Sequence, residues 1–542
     1  MKKSKFLFFG PFENKVEWSN FPAPPLGVHR LASYLKSKGY HTDVIDPDLE
    51  RLTEDKFREI IKEKKYDFIG ISPTHITLEN DLGLAYLVKR YSPESVIIAG
   101  GPEATFAYDL IMDNSPVEII VSGEGEKPML QIAKLEKEGN LESKLKAISG
   151  LILKNGKDKI NTGNNLALNN EEFSEITMGM DFSKIPYDRY WKSVEEFYKA
   201  DLESPNPILR AKRQQEIYAM RFFQANYCPY NCTFCGSQDF QNRAAGGDRT
   251  KVVSLSAEHL VELIEKAYNA YPKMQTIIFQ DDNFMVGLRD KKIERMVELI
   301  NWKKQRGELP KLLSFIAQSR VDNVNYSGLC MLKKANFRLI SYGVESFSQR
   351  MLDEICKETT VERSKRTLDE TLAVGIRPYL NIILTAPNSD FYDMFETIDR
   401  SIDYIEKGSE AGSYNCIIPL PGSKIEETTK GSDLVEYREV KISFTDKTIK
   451  KAVRILPQNP RLREMILKFD EIIDDRKARF FEKNKLGHLP KSLESVSAKA
   501  TRVNTLIRFA TLYELAKTMN VQPYGNRADK EIPRIEGLLT KF

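Results

Sequence analysis

Cys228-Pro229-Tyr230-Asn231-Cys232-Thr233-Phe234-Cys235 gathers three of the chain's six cysteines into eight residues. Six cysteines in 542 residues are too few for a disulfide-built scaffold, so the C-x3-C-x2-C spacing asks for a chemical reason. Thiolates are soft ligands suited to iron–sulfur clusters or zinc. Three on one loop do not by themselves complete a four-coordinate structural zinc site. They are enough for three irons of a [4Fe–4S] cube, leaving the fourth open to a substrate or cofactor. Two other readings stand beside this one: three unrelated core cysteines, or a zinc site finished by a distant Cys or His.

Outward from the loop the chain alternates apolar runs with helical periodicity. Residues 217–224 read as a strand leading into the loop, and residues 257–270 as a helix. Strands at 274–280, 312–319, 337–343, 379–384 and 413–418 follow, separated by helical stretches. Six strands are too few for a closed eight-fold barrel but suit a partial (β/α)6 barrel over residues 215–430. The remaining cysteines, Cys330, Cys356 and Cys416, are spaced too widely for a second loop motif and read as core residues.

Before the barrel, residues 1–155 show the same alternation with shorter units. Residues 6–9, 42–45, 68–72, 96–99 and 119–121 read as strands, and residues 26–38 as a helix closed by Gly39. This predicts an open parallel α/β sheet, whose ligands sit outside the carboxyl ends of the strands. The candidate ligand loops are Pro24-Pro25-Leu26-Gly27, Ser72-Pro73-Thr74-His75, Gly100-Gly101-Pro102-Glu103 and Gly123-Glu124-Gly125-Glu126. No G-x-G-x-x-G follows the first strand, which disfavours a dinucleotide site. Residues 156–214 read as a linker, and residues 431–542 as a helical C-terminal domain.

Composition narrows the partners. Apolar residues make up 41% and charged residues 29%, an ordinary globular balance. The net charge of +4 hides a basic C-terminal region, +8 over residues 431–542 against −4 elsewhere. Its Lys and Arg form no compact run with interleaved aromatics, so nucleic acid is not an expected partner. No stretch approaches the ~20 apolar residues of a membrane span, and no secretory leader is evident. A cytoplasmic setting is the expectation. The basic region is expected to close over the barrel mouth.

The cysteine loop resembles the radical S-adenosylmethionine (SAM) superfamily, whose hallmark C-x3-C-x-φ-C has an aromatic φ, here Phe234. The likeness covers roughly residues 215–425. It implies a [4Fe–4S] cluster on Cys228, Cys232 and Cys235, with SAM chelating the open iron. It also implies a 5′-deoxyadenosyl radical that removes hydrogen from a substrate. The SAM-binding residues it implies are Phe234, Gln280, Asp281 and Asp282 after the second barrel strand, Arg320 toward the SAM carboxylate, Glu345 toward the ribose, and Ile418.

Residues 1–155 resemble the cobalamin-binding domains fused to such barrels. The residues implied for cobalamin are Leu26, Gly27, Ser72, Thr74, His75, Gly100, Gly101, Pro102, Glu103, Gly123 and Glu124. No histidine stands in the D-x-H-x-x-G motif that supplies a cobalt ligand. Either cobalamin binds without one, or the domain keeps only the fold. Together the two resemblances are those of class B cobalamin-dependent radical SAM methyltransferases, which methylate an unactivated carbon through the 5′-deoxyadenosyl radical and methylcobalamin. A flavodoxin or ferredoxin-type electron donor and a small-molecule or peptide substrate are implied. The alternative is a non-methylating radical reaction: cyclisation, ring contraction, oxidation or C–C coupling.

Overall fold

The computed structural model describes residues 3–14, 23–135, 141–247, 250–286, 290–483 and 498–541. Its first layer is a seven-stranded sheet: β1 Lys5–Phe9, β2 His41–Ile45, β3 Phe68–Ile71, β4 Val96–Gly100, β5 Ile119–Val121, β6 Leu151–Asn155 and β7 Asp158–Asn161. The spatial order is β2-β1-β3-β4-β5-β6-β7. The first five strands are parallel, as the alternation requires; β1, β3, β4 and β5 are near-continuous apolar runs buried on both faces, while the edge strand β2 is only half-buried. The sheet is not wholly parallel. β6 and β7 add antiparallel to its edge, because Gly156 at φ +63° turns the chain back within two residues.

The second sheet holds six parallel strands: β8 Ala219–Phe222, β9 Thr276–Phe279, β10 Ser314–Arg320, β11 Phe337–Glu345, β12 Arg377–Thr385 and β13 Glu410–Cys416. The order β13-β12-β11-β10-β9-β8 follows the chain without interruption. The sheet curls as a partial (β/α)6 barrel that stays open between β8 and β13.

Residues 156–214 are folded rather than a linker. They contribute β7 and helices Asn170–Met178, Tyr187–Phe197, Lys199–Leu202 and Pro207–Ile217. Asn169, which reads as a turn residue, is the N-cap of a capping box with Glu172. The helix Tyr187–Phe197 runs along the free edge of β8. Trp191 Nε1 donates to the Ala219 carbonyl at 3.0 Å, and the Arg221 N–H donates to the Tyr187 hydroxyl at 3.2 Å. These aromatics occupy backbone groups that an edge strand leaves unpaired.

The C-terminal region is not all helical. A hairpin, β14 Val435–Lys441 and β15 Thr448–Ile455, precedes helices Pro460–Lys483, Ala498–Thr518 and Tyr524–Lys541. Part of the expected helical stretch, residues 484–497 including His488, lies outside the described residues. The helix Ala498–Thr518 seals the edge of β13. Thr505 Oγ1 donates to the Ala411 carbonyl at 2.5 Å and Arg502 Nε to the Ser409 carbonyl at 2.9 Å. Those carbonyls have no strand beyond them, and that need places the helix at the side of the barrel.

The hairpin fastens the two sheets together. Its base pairs with the barrel, where the Ile455 N–H donates to the Ile417 carbonyl at 2.9 Å. Its tip sinks Ile442 and Ile449 into the core of the first domain, and Phe444 stacks on Phe12 with ring centres 6.3 Å apart. Ile442→Ala should cost about 2–5 kcal/mol, the range for emptying a large aliphatic site. Denaturant melts measure that loss, and amide exchange should rise first along β14 and β15.

Candidate active site

The cysteine loop leaves β8 and is pinned from three sides. Asp281 Oδ1 accepts the N–H groups of Gln224 and Ala225 at 2.9 and 2.7 Å. The Thr233 N–H donates to the Ile355 carbonyl, and the Thr233 carbonyl accepts from the Ile425 N–H, both at 2.9 Å. Ser237 Oγ donates to Asp282 and accepts the Cys228 N–H at 3.3 Å, while the Ser237 N–H points at Cys235 Sγ at 3.5 Å. Phe234 packs among Met351, Ile355, Ile383 and Ile417 and so anchors the turn.

Burial raises all three thiols, Cys235 to about 12. That is opposite to a nucleophilic cysteine, whose pKa is depressed. A metal is what would hold such thiols as thiolates. Among the described residues no three His, Cys, Asp or Glu side chains converge on one ion. A cube takes one thiolate per iron at three corners and needs no such convergence, so the donor set fits a cluster better than zinc.

Arg320, at the end of β10, commits its guanidinium to protein groups. Nε and Nη2 meet Asp322 at 2.9 and 2.8 Å, Nη1 donates to Cys232 Sγ at 3.3 Å, and Nη2 also reaches the Lys357 carbonyl. Its plane lies 3.8 Å over the Tyr230 ring. Lys357 Nζ donates in turn to Glu345 Oε1 at 2.7 Å. Glu345 has φ +61° at a bulge between β11 and β12, a strain of about 1–3 kcal/mol that marks functional turns. Gly343 is required beneath this pair. A Cβ there would stand 2.5 Å from Glu345 Oε1 and 2.8 Å from Lys357 Nζ.

The residues expected around SAM therefore divide. Phe234, Asp282, Arg320 and Glu345 gather around the cysteine loop, and Gln280 ends β9 with its N–H on the Phe222 carbonyl at 2.8 Å. Asp281 is turned inward and holds the loop backbone. Its Oδ2 has no hydrogen-bond partner among the described residues, and burial pushes its carboxyl to about 7. Ile418 is half-buried in the turn after β13, its carbonyl accepting the Leu420 N–H at 2.9 Å. Arg320 faces the cluster thiol and Asp322 rather than standing free for a carboxylate. Of the other cysteines, Cys416 is buried, Cys330 half-buried and Cys356 exposed in the left-handed region at φ +49°, so Cys356 is not a core residue.

At the carboxyl ends of β1, β3, β4 and β5 a cavity of about 340 Å³ opens toward the barrel. Gly27, Ser72, Gly100, Gly101, Pro102, Gly123 and Glu124 line its floor, as expected, and Phe223, Ala225, Asn226, Phe240 and Gln241 close it from the barrel side. Ideal Cβ atoms on Gly27, Gly100 and Gly101 would meet nothing nearer than 3.6 Å. The floor is bare backbone with open space above it, which fits a broad flat group such as a corrin. Gly123 is needed for a different reason: φ is +77°, and a Cβ would stand 2.5 Å from the Ala244 methyl of the barrel helix Ser237–Ala244.

Leu26, Thr74, His75 and Glu103 fall outside this lining. Leu26 is buried in the barrel-side core, and the Thr74 N–H donates to Asp81 at 3.2 Å. His75 Nε2 donates to the Ala452 carbonyl of β15 at 2.8 Å, while Nδ1 stands 3.4 Å from Glu103. It secures the hairpin and has no nitrogen to spare for cobalt. Among the described residues no histidine lines the cavity. Arg30, which the sequence did not single out, forms its polar rim with Glu126 of the fourth candidate loop, Nε to Oε1 at 2.8 Å. Burial and the Glu126 carboxylate push Glu124 upward. Asn165, in a segment expected to be a linker, ties this rim to the barrel. Its Nδ2 donates to the Ser122 and Glu124 carbonyls, both at 2.7 Å, and its N–H to the Ala244 carbonyl at 2.8 Å.

A family profile described as the B12 binding domain matches residues 18–133, and the Radical SAM superfamily profile matches residues 224–402. The chain is a radical SAM protein with an N-terminal B12-binding domain. Its cofactors are a [4Fe–4S] cluster, SAM and cobalamin. An uncharacterized methyltransferase of Pyrococcus horikoshii is 26% identical over 416 residues, 76% of this chain and 80% of that one. The anaerobic magnesium-protoporphyrin IX monomethyl ester cyclase of Rubrivivax gelatinosus is 27% identical over 387 residues, 70% of this chain and 62% of that one. The structure of the cobalamin-dependent S-adenosylmethionine radical enzyme OxsB with aqua-cobalamin bound shares the fold, with TM-score 0.68 and 16% identity over 99% of this chain and 76% of that chain.

Arg320→Gln removes a hydrogen bond and a positive charge from Cys232, which should make the cluster harder to reduce, by about 20–60 mV for one ~0.5–1.5 kcal/mol bond. Redox titration followed by electron paramagnetic resonance reads this shift. A second effect concerns pH. Asp281 binds its proton more tightly folded than unfolded, so its contribution to stability is full below about pH 4 and is lost by about pH 7. Asp281→Asn should flatten that slope in urea melts taken across pH 4–8.

Proposed function

We propose that this chain is a cobalamin-dependent radical SAM methyltransferase that methylates an unactivated carbon of a small-molecule or peptide substrate. The observation that carries the reading is the shared chamber. The glycine floor of the B12-binding domain faces Phe223, Ala225 and Asn226, the residues that lead from β8 into the cysteine loop. The glycine floor and the root of the cysteine loop therefore border one space. When bound, the cluster and SAM supply one-electron cleavage to a 5′-deoxyadenosyl radical, and cobalamin supplies the methyl group.

The protein's part is orientation and exclusion of water. Asp282, beside Cys228 and Cys235, is placed for the SAM amino group, and the strained Glu345 turn for its ribose. Arg320 and Lys357 place two positive charges beside Cys232 and favour the thiolate ligand. The apolar chamber wall, with Phe8, Ile71, Ile98 and Val121, keeps water from reactive carbon centres. Among the described residues no carboxylate lines the chamber except Glu124 and Glu126, both held by Arg30. The reductant is a flavodoxin or ferredoxin-type donor, in keeping with a cytoplasmic setting.

The reading is tested by anaerobic reconstitution and product mass. The protein should retain cobalamin, and product should gain one CH₂ with label from methyl-deuterated SAM. A protein that cleaves SAM yet never retains cobalamin overturns it. A product that has only lost hydrogen, or closed a ring as the cyclase relative's name would suggest, assigns it to a non-methylating reaction.

A further inference from the structure

The six barrel strands alternate in a telling way. Residues facing the surrounding helices, such as Met220, Ile277, Phe315, Ile340 and Leu380, are fully buried. Those on the opposite, inner face, such as Ile278, Ile316, Gln318, Ser341 and Asn381, are only half-buried. A closed barrel packs its inner face with side chains; this one leaves space there. The strand register brings Arg221 into that face, directly beside Ile278, with Ile316 and Leu339 continuing the same row. Arg221 is thus a cation in an apolar inner row, in the strand that runs into the cysteine loop.

The other barrel arginines are accounted for. Arg377 pairs with Glu410 at 2.5 Å, Arg320 with Asp322, and Arg338 lies in the field of Glu216 and Glu410. Among the described residues Arg221 has no such partner: its guanidinium meets no carboxylate and makes no hydrogen bond, its backbone N–H donates to Tyr187, and the residue lines a narrow recess with Ala23, Pro24, Tyr190 and Trp191. Burial without a counter-ion lowers its pKa, against weak support from the Tyr187 hydroxyl. An unpaired charge in a desolvated place is costly, and the cost is removed when a ligand brings the opposite charge. The planar fork of a guanidinium matches a carboxylate or phosphoryl group in two parallel bonds.

We propose that Arg221 is the anchor for an anionic oxygen-bearing group, carboxylate or phosphoryl, of the substrate. The apolar row Ile278–Ile316–Leu339 then carries the substrate's hydrocarbon part, and the polar Gln318, Ser341 and Asn381 lie further along the same inner face toward the strands' carboxyl ends. The substrate class is an amphiphilic organic anion. This rests on the radical SAM reading for its location at the barrel's inner face, but the charge argument stands on the strands alone.

The experiment uses the reconstituted holoenzyme and three probes: inorganic phosphate, propionate and glycerol. Calorimetric titration of the wild type, Arg221→Lys and Arg221→Gln should show the wild type binding at least one anion and not glycerol. Arg221→Gln should weaken that binding about 10- to 100-fold, the worth of one charge-assisted contact, with Arg221→Lys between them. Which anion binds distinguishes carboxylate from phosphoryl chemistry. Phenylglyoxal labelling of the wild type, read by peptide mass, needs no variant and should show Arg221 protected by the same anion. Wild type that binds neither anion, or anion binding unchanged in Arg221→Gln with Arg221 unprotected, overturns the proposal. The change in the cluster spectrum on adding SAM is recorded in parallel. Its loss would count against the radical SAM reading without touching the anion result.

Discussion

An open six-stranded parallel sheet has two outer strands, and each presents backbone groups with no strand to meet them. Satisfying those groups without closing the barrel organises much of the remaining chain. At β8, Trp191 and Tyr187 supply side-chain partners to the edge. At β13, Thr505 and Arg502 do the same from the last helical layer. Just past β13, Ile417 continues into a bridge with Ile455, and the hairpin carries that connection into the core of the B12-binding domain. The same requirement that leaves the barrel open thus also positions the first domain over it.

That placement brings two sets of loops face to face. Strand carboxyl ends in both sheets carry the ligand-facing residues, a consequence of parallel α/β construction. Gly123 lets the first domain come within contact of the helix that follows the cysteine loop. Behind the loop, Arg320, Lys357 and Glu345 form a charged chain that reaches Cys232 on one side and a strained turn on the other. With Asp322 paired to Arg320 and Glu345 to Lys357, the positive groups sit near the cysteines without an isolated buried charge. Asp281 does a different task than its neighbour Asp282. One holds backbone, the other accepts from Ser237 beside the cysteines.

Most of the periodic elements were legible. Phe391–Glu406 and Ala257–Ala270 are helices at the limits their apolar spacing indicates, and all six barrel strands lie where the apolar runs do. Less legible were segments whose partners are distant. Residues 170–217 read as a linker, yet Tyr187, Tyr190, Trp191, Val194 and Tyr198 keep helical spacing and are buried, with Phe173, against the barrel side. The hairpin at 435–455 is largely polar; its base residues Val435 and Ile455 pack beside the barrel, and its tip residues Ile442 and Ile449 find a core more than 350 residues away in sequence, against β3 and the helix Leu78–Tyr91.

The cysteine spacing, the aromatic at Phe234 and the glycine loops were enough to point to the cofactor chemistry and the fold class, because those features act through local geometry: three donors on one turn, bare backbone at strand ends. Tertiary structure alone decided which candidates meet the ligand space. His75 was taken by the hairpin, Asp281 by the loop backbone and Leu26 by the core, while Arg30, Asn165 and Arg221 entered the picture. The reason is physical. A polar side chain's role depends on which donors and acceptors come within about 3 Å of it, and that is set by contacts between segments that the sequence keeps far apart.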